Sequence, residues 1–152
     1  MRAVIQRVQH ASVHSKGQRL GEIGQGMLIL LGVEEGDSFD DISHLCYKIA
    51  RLRIFPDKQG RMQKSMHDLM TVRCLVVSQF TLFGSVKKGH RPSFTRSAKP
   101  EFARMMYEIF IKTLEKETNT KVEQGAFGAD MQVELLNDGP VTLLLDSKIK
   151  DL

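Results

Sequence analysis

Apolar residues alternate with polar ones, or run without interruption, in several short segments at the start of the chain. This pattern predicts β-strands at 2–8, 11–14, 19–23 and 27–32, with Gly17, Gly21, Gly24 and Gly26 marking turns. The last of these segments is continuously apolar, which is typical of a strand that is buried on both faces. The N-terminal part is therefore predicted to be a set of short strands.

Two later segments carry apolar residues at three- and four-residue spacing, which predicts amphipathic helices. The first begins at Ser38, whose side chain can form a cap with Asp41, and it ends before Pro56. The second begins near Pro100, a residue favoured at a first helical position, and Glu101 suits the helix dipole there. The predicted buried face of this second helix consists of Phe102, Met105, Met106, Ile109 and Thr113.

The remaining segments complete a mixed pattern of strands, helices and loops. Residues 55–60 and 125–129 are predicted to be loops, 71–82 a strand that enters the core, and 131–136 and 141–146 two strands around 137–140. Asp138 and Gly139 fit a hairpin turn between these two strands. Neither a repeat nor a linker interrupts the chain, so one α+β domain with helices on one side of the sheet layers is predicted for residues 1–152.

Two short stretches combine the burial pattern of core strands with side chains that a core strand rarely needs. One is Val76-Val77-Ser78-Gln79-Phe80-Thr81-Leu82, and the other begins at Asn137 and continues through Gly139 and Pro140 to Thr142. A buried hydroxyl or amide without a partner costs about 1–3 kcal/mol. Such groups either bond to neighbouring strands or serve a ligand, and spacing alone leaves both interpretations open.

Composition and charge narrow the class of protein. The 152 residues include two cysteines, Cys46 and Cys74, which lie among apolar neighbours and outside any paired-ligand spacing. This favours buried free thiols in a reducing compartment. The N-terminus lacks the apolar region of a signal peptide, and the longest apolar run, 27–31, is far shorter than a membrane span. We therefore expect a soluble cytoplasmic protein that does not contact membranes.

The positive charge is concentrated in one window. The net charge is +4, and no acidic residue occurs between 69 and 100, a stretch that contains Lys87, Lys88, Arg91 and Arg96. A basic loop directly after the polar strand end could hold a phosphate backbone while the group attached to it is examined. A solvated basic loop without a partner is the alternative interpretation.

Other chemistries have little support in the sequence. Ser78 lacks the G-x-S-x-G context of many serine hydrolases, and no histidine stands out as its base. His10 and His14 lie on a predicted strand, without an HExxH motif or a carboxylate cluster, so no metal site is expected. The early glycines precede a strand and do not open a helix, which excludes a phosphate-binding loop. No cofactor is predicted.

Several separated motifs, in one order, resemble the D-aminoacyl-tRNA deacylase family over nearly the whole chain. They are Arg2-Ala3-Val4-Ile5-Gln6-Arg7-Val8, Ala11-Ser12-Val13, Leu30-Leu31-Gly32-Val33, Leu52-Arg53-Ile54-Phe55, Val77-Ser78-Gln79-Phe80-Thr81-Leu82, Lys88-Gly89-His90-Arg91-Pro92-Ser93-Phe94, Phe127-Gly128-Ala129-Asp130-Met131 and Asn137-Asp138-Gly139-Pro140-Val141-Thr142. The resemblance implies one domain of barrel-like, layered β-sheets with two main helices packed on one side. It also implies a homodimer whose active sites lie at the subunit interface.

The resemblance further implies cleavage of the ester that joins a D-amino acid to the terminal adenosine of tRNA, and some action on glycyl-tRNA mischarged on tRNA(Ala). The segment Ser78, Gln79, Phe80 and Thr81 would be catalytic. Gly139 and Pro140, joined by a cis peptide bond, would enter the partner's pocket and reject L side chains by their backbone carbonyls. The resemblance also implies that Phe127, Met131 and Thr142 contact the substrate. It implies that the tRNA is bound by Lys87, Lys88, Arg91 and Arg96.

Three questions stay open at the level of sequence. Hydrolysis could proceed by water assisted by the ribose hydroxyl, which we favour, or through a covalent ester on Thr81. The same fold could instead edit L-alanyl-tRNA. A dimer that binds nucleic acid without chemistry is the alternative from another class.

Overall fold

The alternating N-terminal segments form three antiparallel strands in the computed structural model, which describes residues 1–149. Strand β1 (Arg2–Ser15) pairs with β2 (Gln18–Ile23) and with β3 (Gly26–Gly32). The prediction of two separate strands at 2–8 and 11–14 is wrong, because β1 is continuous. The alternation of apolar and polar residues breaks between these two segments although the chain does not turn there. The cause is a shift in the pairing register between β1 and the last strand of the chain.

Parallel pairing extends this sheet. Strand β3 pairs in parallel with β6 (Arg73–Ser78), and β6 pairs in parallel with β7 (Val122–Gln124), which the sequence analysis missed. The order is β2-β1-β3-β6-β7, and β2 returns towards β7 at Gly21. A side chain on Gly21 would begin only 3.0 Å from the Gln124 carbonyl oxygen, so the glycine permits this close approach. The mixed sheet is nearly closed, as the predicted barrel-like α+β fold requires.

The two predicted helices are confirmed. Helix α1 (Phe39–Arg51) begins after Ser38, whose backbone N–H and hydroxyl donate to Asp41 Oδ2 at 2.7 and 2.9 Å. Helix α2 (Pro100–Thr118) begins at its proline and is followed by Asn119, which adopts the left-handed conformation. Both helices pack over one side of the sheet.

The predicted buried face of α2 is only partly correct. Met106 is buried, Phe102 and Ile109 are partly buried against the core, and Met105 is 42% exposed. The observed face consists of Ala103, Met106, Tyr107, Phe110, Ile111, Leu114 and Thr118. A prediction from hydrophobicity alone missed Ala103, a small residue that permits close packing, and Tyr107. The Tyr107 hydroxyl donates a hydrogen bond to the Val76 carbonyl at 2.8 Å.

Two further segments differ from the prediction. Strands β4 (Phe55–Pro56) and β5 (Met62–Lys64) form a small hairpin, so only residues 57–60 of the predicted loop 55–60 lie outside the strands. Strand β6 stops at Ser78 and does not extend to residue 82. The chain then forms a 3-10 helix, Phe80–Phe83, which we call the site 3-10 helix; a shorter one spans Met66–Asp68.

The last strand, β8 (Gln132–Asp146), includes the residues predicted to form a hairpin turn, and the chain does not reverse direction there. The prediction of a hairpin is wrong, because β8 pairs with the same strand, β1, both before and after these residues. Asn137 lies opposite Val8 and Thr142 opposite Gln6, so β8 bulges between them, across from Arg7 alone. The Gly139-Pro140 peptide bond within the bulge is cis.

Apolar side chains fill both faces of the sheet. The larger cluster lies between the sheet and the helices, and a smaller one around Val8, Leu28 and Leu75 fills the opposite face. Cys46 and Cys74 are buried free thiols, as predicted, and burial raises the pKa of Cys74 to about 12. Within residues 1–149, no helix has the length and apolar character that crossing a membrane requires.

Candidate active site

A pocket of about 480 Å³ opens where the parallel strands β3 and β6 end. Its walls are these strand ends, the first two turns of α2, the loop 127–131 and Val133 of β8. Most of the lining side chains are apolar, among them Ala98, Ala103 and Phe127. A pocket of this size and character suits a small, largely apolar or aromatic group.

The segment predicted to be catalytic lies on this pocket. Ser78, Gln79 and Phe80 line it, and the neighbouring Thr81 is exposed beside it. Because the chain turns at the end of β6, the alternation expected of an extended segment does not apply here. The side-chain amide Nε2 of Gln79 instead donates a hydrogen bond to the Thr81 hydroxyl.

The titratable groups around the pocket are few. In the described part of the chain, its lining includes Asp130 and Tyr107 and no histidine. Burial raises the pKa of Tyr107, so its hydroxyl stays protonated and donates to Val76. A serine hydrolase needs a base within hydrogen-bond reach of its nucleophile. The pocket offers Ser78 no imidazole, which leaves the serine-hydrolase reading without support.

Two neighbours fix the start of the site 3-10 helix. Ser97 donates its hydroxyl hydrogen bond to the Phe80 carbonyl at 2.9 Å, and the Gln79 N–H donates to the Leu31 carbonyl at 2.7 Å. Gly32 lies directly beneath, where a side chain would begin 3.0 Å from the Gln79 carbonyl oxygen. The absence of a side chain at Gly32 therefore allows the turn at Gln79 to pack this closely against β3.

Gly139 and Pro140 are exposed and do not line the pocket of their own chain. The buried guanidinium of Arg7 holds the bulge: Nε donates to the Asp138 carbonyl at 3.2 Å and pairs with Asp138 Oδ2 at 2.9 Å, and Nη2 donates to the Gly139 carbonyl at 3.4 Å. Arg7 also donates to the Ile54 carbonyl. Several donors of one rigid side chain thus fix the position of the Gly139-Pro140 peptide.

The other residues expected to contact substrate divide into two groups. Phe127 and Met131 line the pocket. Thr142 does not; it lies on β8 and accepts a hydrogen bond from Gln6 at 3.2 Å. The ring of Phe127 packs against Tyr107, and the guanidinium of Arg104 lies 5.1 Å from its centre.

The basic residues lie on a loop next to the site. Lys87, Lys88 and Arg91 are exposed on its tip, which is closed by paired backbone hydrogen bonds between Ser85 and Ser93 at 2.8 and 2.9 Å. The loop contacts the site through Phe94, whose ring meets that of Phe80 edge-on at 5.2 Å. Arg96 differs from the others, because its guanidinium pairs with Glu34 at 2.6 Å.

Sequence reasoning missed Arg7 and Tyr107. A signal existed for Arg7, since it continues the inward-facing positions of Ala3 and Ile5 along β1. A charged residue at such a position must find buried partners. Tyr107 had no comparable signal, because its role depends on where α2 crosses β6.

The sequence profile of the D-Tyr-tRNA(Tyr) deacylase family matches residues 4–146. The chain belongs to this family. D-aminoacyl-tRNA deacylases of Bacteroides thetaiotaomicron and Thermosipho africanus are each 53% identical to it, over 99% and 97% of this chain and 100% and 98% of theirs. Membership in the deacylase family makes the protein a hydrolase of ester bonds.

Two solved structures share the fold of this chain. A protein described as c-Myc DNA Unwinding Element Binding Protein is 40% identical, with a TM-score of 0.88 over 96% of this chain and 98% of that one. A probable eukaryotic D-amino acid tRNA deacylase shares the fold, with a TM-score of 0.81 at 16% identity over 95% of this chain and 97% of that one. The deacylase fold therefore extends across nearly all of the described residues.

Proposed function

We propose that this deacylase hydrolyses the ester between a D-amino acid and the terminal adenosine of tRNA, and so removes wrongly charged tRNA in the cytoplasm. The carrying observation is that Ser78, Gln79 and Phe80 line a pocket of about 480 Å³ in a member of this family. The apolar and aromatic lining suits the adenine ring, and Phe127 offers a face on which a base can stack.

The start of the site 3-10 helix supplies donors for the developing oxyanion. The first N–H groups of a helix have no acceptor within the helix, and in this helix they belong to Phe80 and Thr81. One such donor typically contributes about 2.7–4 kcal/mol to transition-state stabilisation. The backbone at Phe80 and Thr81 is therefore the proposed electrostatic element of catalysis.

The nucleophile is proposed to be water, assisted by the neighbouring ribose hydroxyl of the tRNA. Thr81 is a poor candidate because its hydroxyl contacts the amide of Gln79, and an amide is not a base. Water adds to the ester carbonyl, the C–O bond to the ribose breaks, and the ribose oxygen takes a proton. The products are the free D-amino acid and the tRNA with its terminal hydroxyl restored.

Replacing Thr81 with alanine is expected to leave at least a tenth of the deacylation rate, because the backbone N–H remains. A tRNA that ends in 2′-deoxyadenosine and carries the amino acid on its 3′-oxygen should be hydrolysed at least tenfold more slowly. Acid–base assistance of the kind that the missing hydroxyl would provide typically contributes about 10²–10⁴-fold. Single-turnover rates on both substrates measure this. An acyl-enzyme ester trapped on Thr81 would contradict the proposal and favour covalent catalysis.

Chirality is proposed to be read by the backbone of Gly139 and Pro140, contributed by a second copy of the chain. These residues are exposed and lie outside their own pocket, which is the arrangement that a contribution in trans requires. Within residues 1–149, β8 pairs along one edge with β1 and with no other strand, and it exposes Leu136 and Leu144. An apolar edge strand favours association with a second copy.

Binding of tRNA is proposed to involve Lys87, Lys88 and Arg91, whose side chains are exposed, whereas Arg96 at the base of the same loop is paired with Glu34. Their loop contacts the pocket wall through Phe94 and Phe80, so a phosphate held on it would lie near the ester. The binding energy would come from the RNA backbone and would not depend on tRNA sequence. The chirality of the amino acid would be read elsewhere, at Gly139 and Pro140.

Neutralising Lys87 and Lys88 together is expected to weaken tRNA binding equally for different tRNAs. Each phosphate contact contributes about −0.7 to −0.9 to the slope of log affinity against log salt concentration, so the double variant should lose up to twice that amount. Affinity for two tRNAs at four salt concentrations measures the change. Neutralising Lys16 and Lys121, two lysines outside the loop, is the control, and a slope equal to wild type in the loop variant would show that its lysines are only solvated.

The decisive experiment presents the purified protein with paired D- and L-tyrosyl-tRNA, with glycyl-tRNA(Ala) and with L-alanyl-tRNA. We expect hydrolysis of the D ester and the glycyl ester, while the L ester survives. Glycine should be accepted because it has no side chain for the backbone to reject. Survival of the D ester together with hydrolysis of L-alanyl-tRNA would favour the editing of L-alanine.

Nucleic-acid binding without hydrolysis is the second candidate. It is favoured by the description of one 40% identical structure as a DNA unwinding element binding protein and by the exposed lysines of the loop. Both tyrosyl esters would then survive, while the protein still bound tRNA or DNA in a salt-dependent manner. Measuring binding and hydrolysis on the same preparation separates the two functions.

A further inference from the structure

The ring of Phe83 ends the site 3-10 helix and is buried between charged groups. Only 1% of its surface is exposed, yet two guanidinium groups lie close to it. The Arg2 guanidinium is 4.9 Å from the ring centre, and that of Arg96 is 5.6 Å from it. Both distances are within the range of cation–π attraction.

Arg2 binds the site 3-10 helix and the end of β8 at the same time. Its Nη1 donates to the Leu82 carbonyl at 3.1 Å, and its Nε donates to Asp146 Oδ2 at 2.7 Å. Burial acts to raise the pKa of Asp146, but hydrogen bonds from Arg2 and the Lys148 N–H outweigh it and lower the pKa. Asp146 therefore stays ionised and keeps Arg2 in place.

Arg96 approaches the same ring from the basic loop. Its guanidinium pairs with Glu34 at 2.6 Å, and its carbonyl accepts the Glu35 N–H at 3.1 Å. Glu34 is itself fixed, because its backbone N–H donates to Asp37 Oδ2 at 2.7 Å. A guanidinium with a carboxylate and a ring as partners is poorly placed to hold a phosphate as well.

We propose that Arg2 and Arg96 are positioning residues, which hold the site 3-10 helix through Phe83 so that the N–H groups of Phe80 and Thr81 point at the ester. This inference rests on the proposed function. It assigns Arg96 a role other than the phosphate contact expected from its place in the basic window. The two arginines act on catalysis through the helix and do not touch the substrate.

The expected signature is a loss in kcat with little change in KM. A displacement of about 1 Å at reacting groups can cost about 100-fold in rate. Arg2→Met should lower kcat for D-tyrosyl-tRNA by about 10- to 100-fold, while KM changes less than about threefold because the binding loop and pocket remain. Arg2→Lys should recover little, since an ammonium cannot reproduce the two directed contacts of the guanidinium.

The chain offers a matched control in Arg51. Its guanidinium stacks on Tyr47 at 3.9 Å and pairs with Glu117 at 2.6 Å, so it has the same kinds of partner away from the site. Arg51→Met is expected to leave kcat unchanged. Amide hydrogen exchange at Leu82 and Gly84, whose N–H groups donate within this turn, reports the helix independently of activity. Exchange there should accelerate at least tenfold in Arg2→Met and stay unchanged in Arg51→Met.

Three results would overturn the inference. They are unchanged kcat and exchange in Arg2→Met, a loss in kcat matched by Arg51→Met, and a loss that appears only in KM. Should Arg2→Met fail to fold, Phe83→Leu keeps an apolar side chain but removes the ring, and it should show the same kcat loss and faster exchange. If wild type proves inactive, the proposed function fails, while the exchange comparison still tests the positioning of the helix.

Discussion

Replacing Arg7 with methionine is expected to lower the free energy of unfolding by about 3 kcal/mol, near the lower end of the range for breaking a buried ion pair. The same change should abolish preference for the D ester or the activity itself. The substitution leaves the carbonyls of Asp138, Gly139 and Ile54 without their charged donor and frees the bulge that the guanidinium holds. Denaturant unfolding and the D/L ratio of tyrosyl-tRNA deacylation measure the two effects.

Two companion variants separate stability from discrimination. Arg19→Met removes an exposed pair with Glu22 within β2, the strand next to β1, and should cost less than about 1 kcal/mol. Gly139→Ala should fold normally, because the nearest atom to the new methyl group is Asn137 Oδ1 at 3.8 Å, yet it should impair hydrolysis of the D ester. Unchanged D/L discrimination in both Arg7→Met and Gly139→Ala would contradict a backbone filter at this bulge.

Replacing Gly32 with alanine is expected to lower kcat by about 10-fold or more, since small displacements of reacting groups are costly. The new methyl group would lie 3.0 Å from the Gln79 carbonyl oxygen, 3.1 Å from the Phe83 ring and 3.2 Å from Leu82 Cβ. All three belong to the turn that carries the proposed oxyanion donors. The turn must move by a few tenths of an ångström, and the N–H groups of Phe80 and Thr81 move with it.

Gly24→Ala is the control, because its methyl group would have no atom within 4 Å. Steady-state kinetics on D-tyrosyl-tRNA, with thermal unfolding of both variants, measure the outcome. We expect activity to fall only in Gly32→Ala. Wild-type kcat in a folded Gly32→Ala protein would show that catalysis does not depend on the position of this turn.

Much of the candidate site was predictable from sequence because its residues are contiguous. The motif that contains Ser78, Gln79 and Phe80 pointed to the pocket, and the motif around Phe127 supplied the facing wall. The motif that contains Gly139 and Pro140 was also recognised in the sequence. The sequence did not reveal that these residues lie outside the pocket of their own chain. Arg7 and Tyr107 were missed, since each acts through a residue that is remote in sequence. For Arg7, its inward-facing position on β1 was a signal that the sequence did offer.

Sequence alone determined the features whose causes are local. The cap at Ser38 and the start of α2 at Pro100 depend on side chains within one helical turn, and both were predicted correctly. Tertiary structure decided the rest: the continuity of β1, the buried face of α2, the end of β6 at Ser78 and the bulge opposite Arg7. Each of these is set by a partner far along the chain. Strand pairing and close packing gain their free energy only when such partners meet, so no local pattern could specify them.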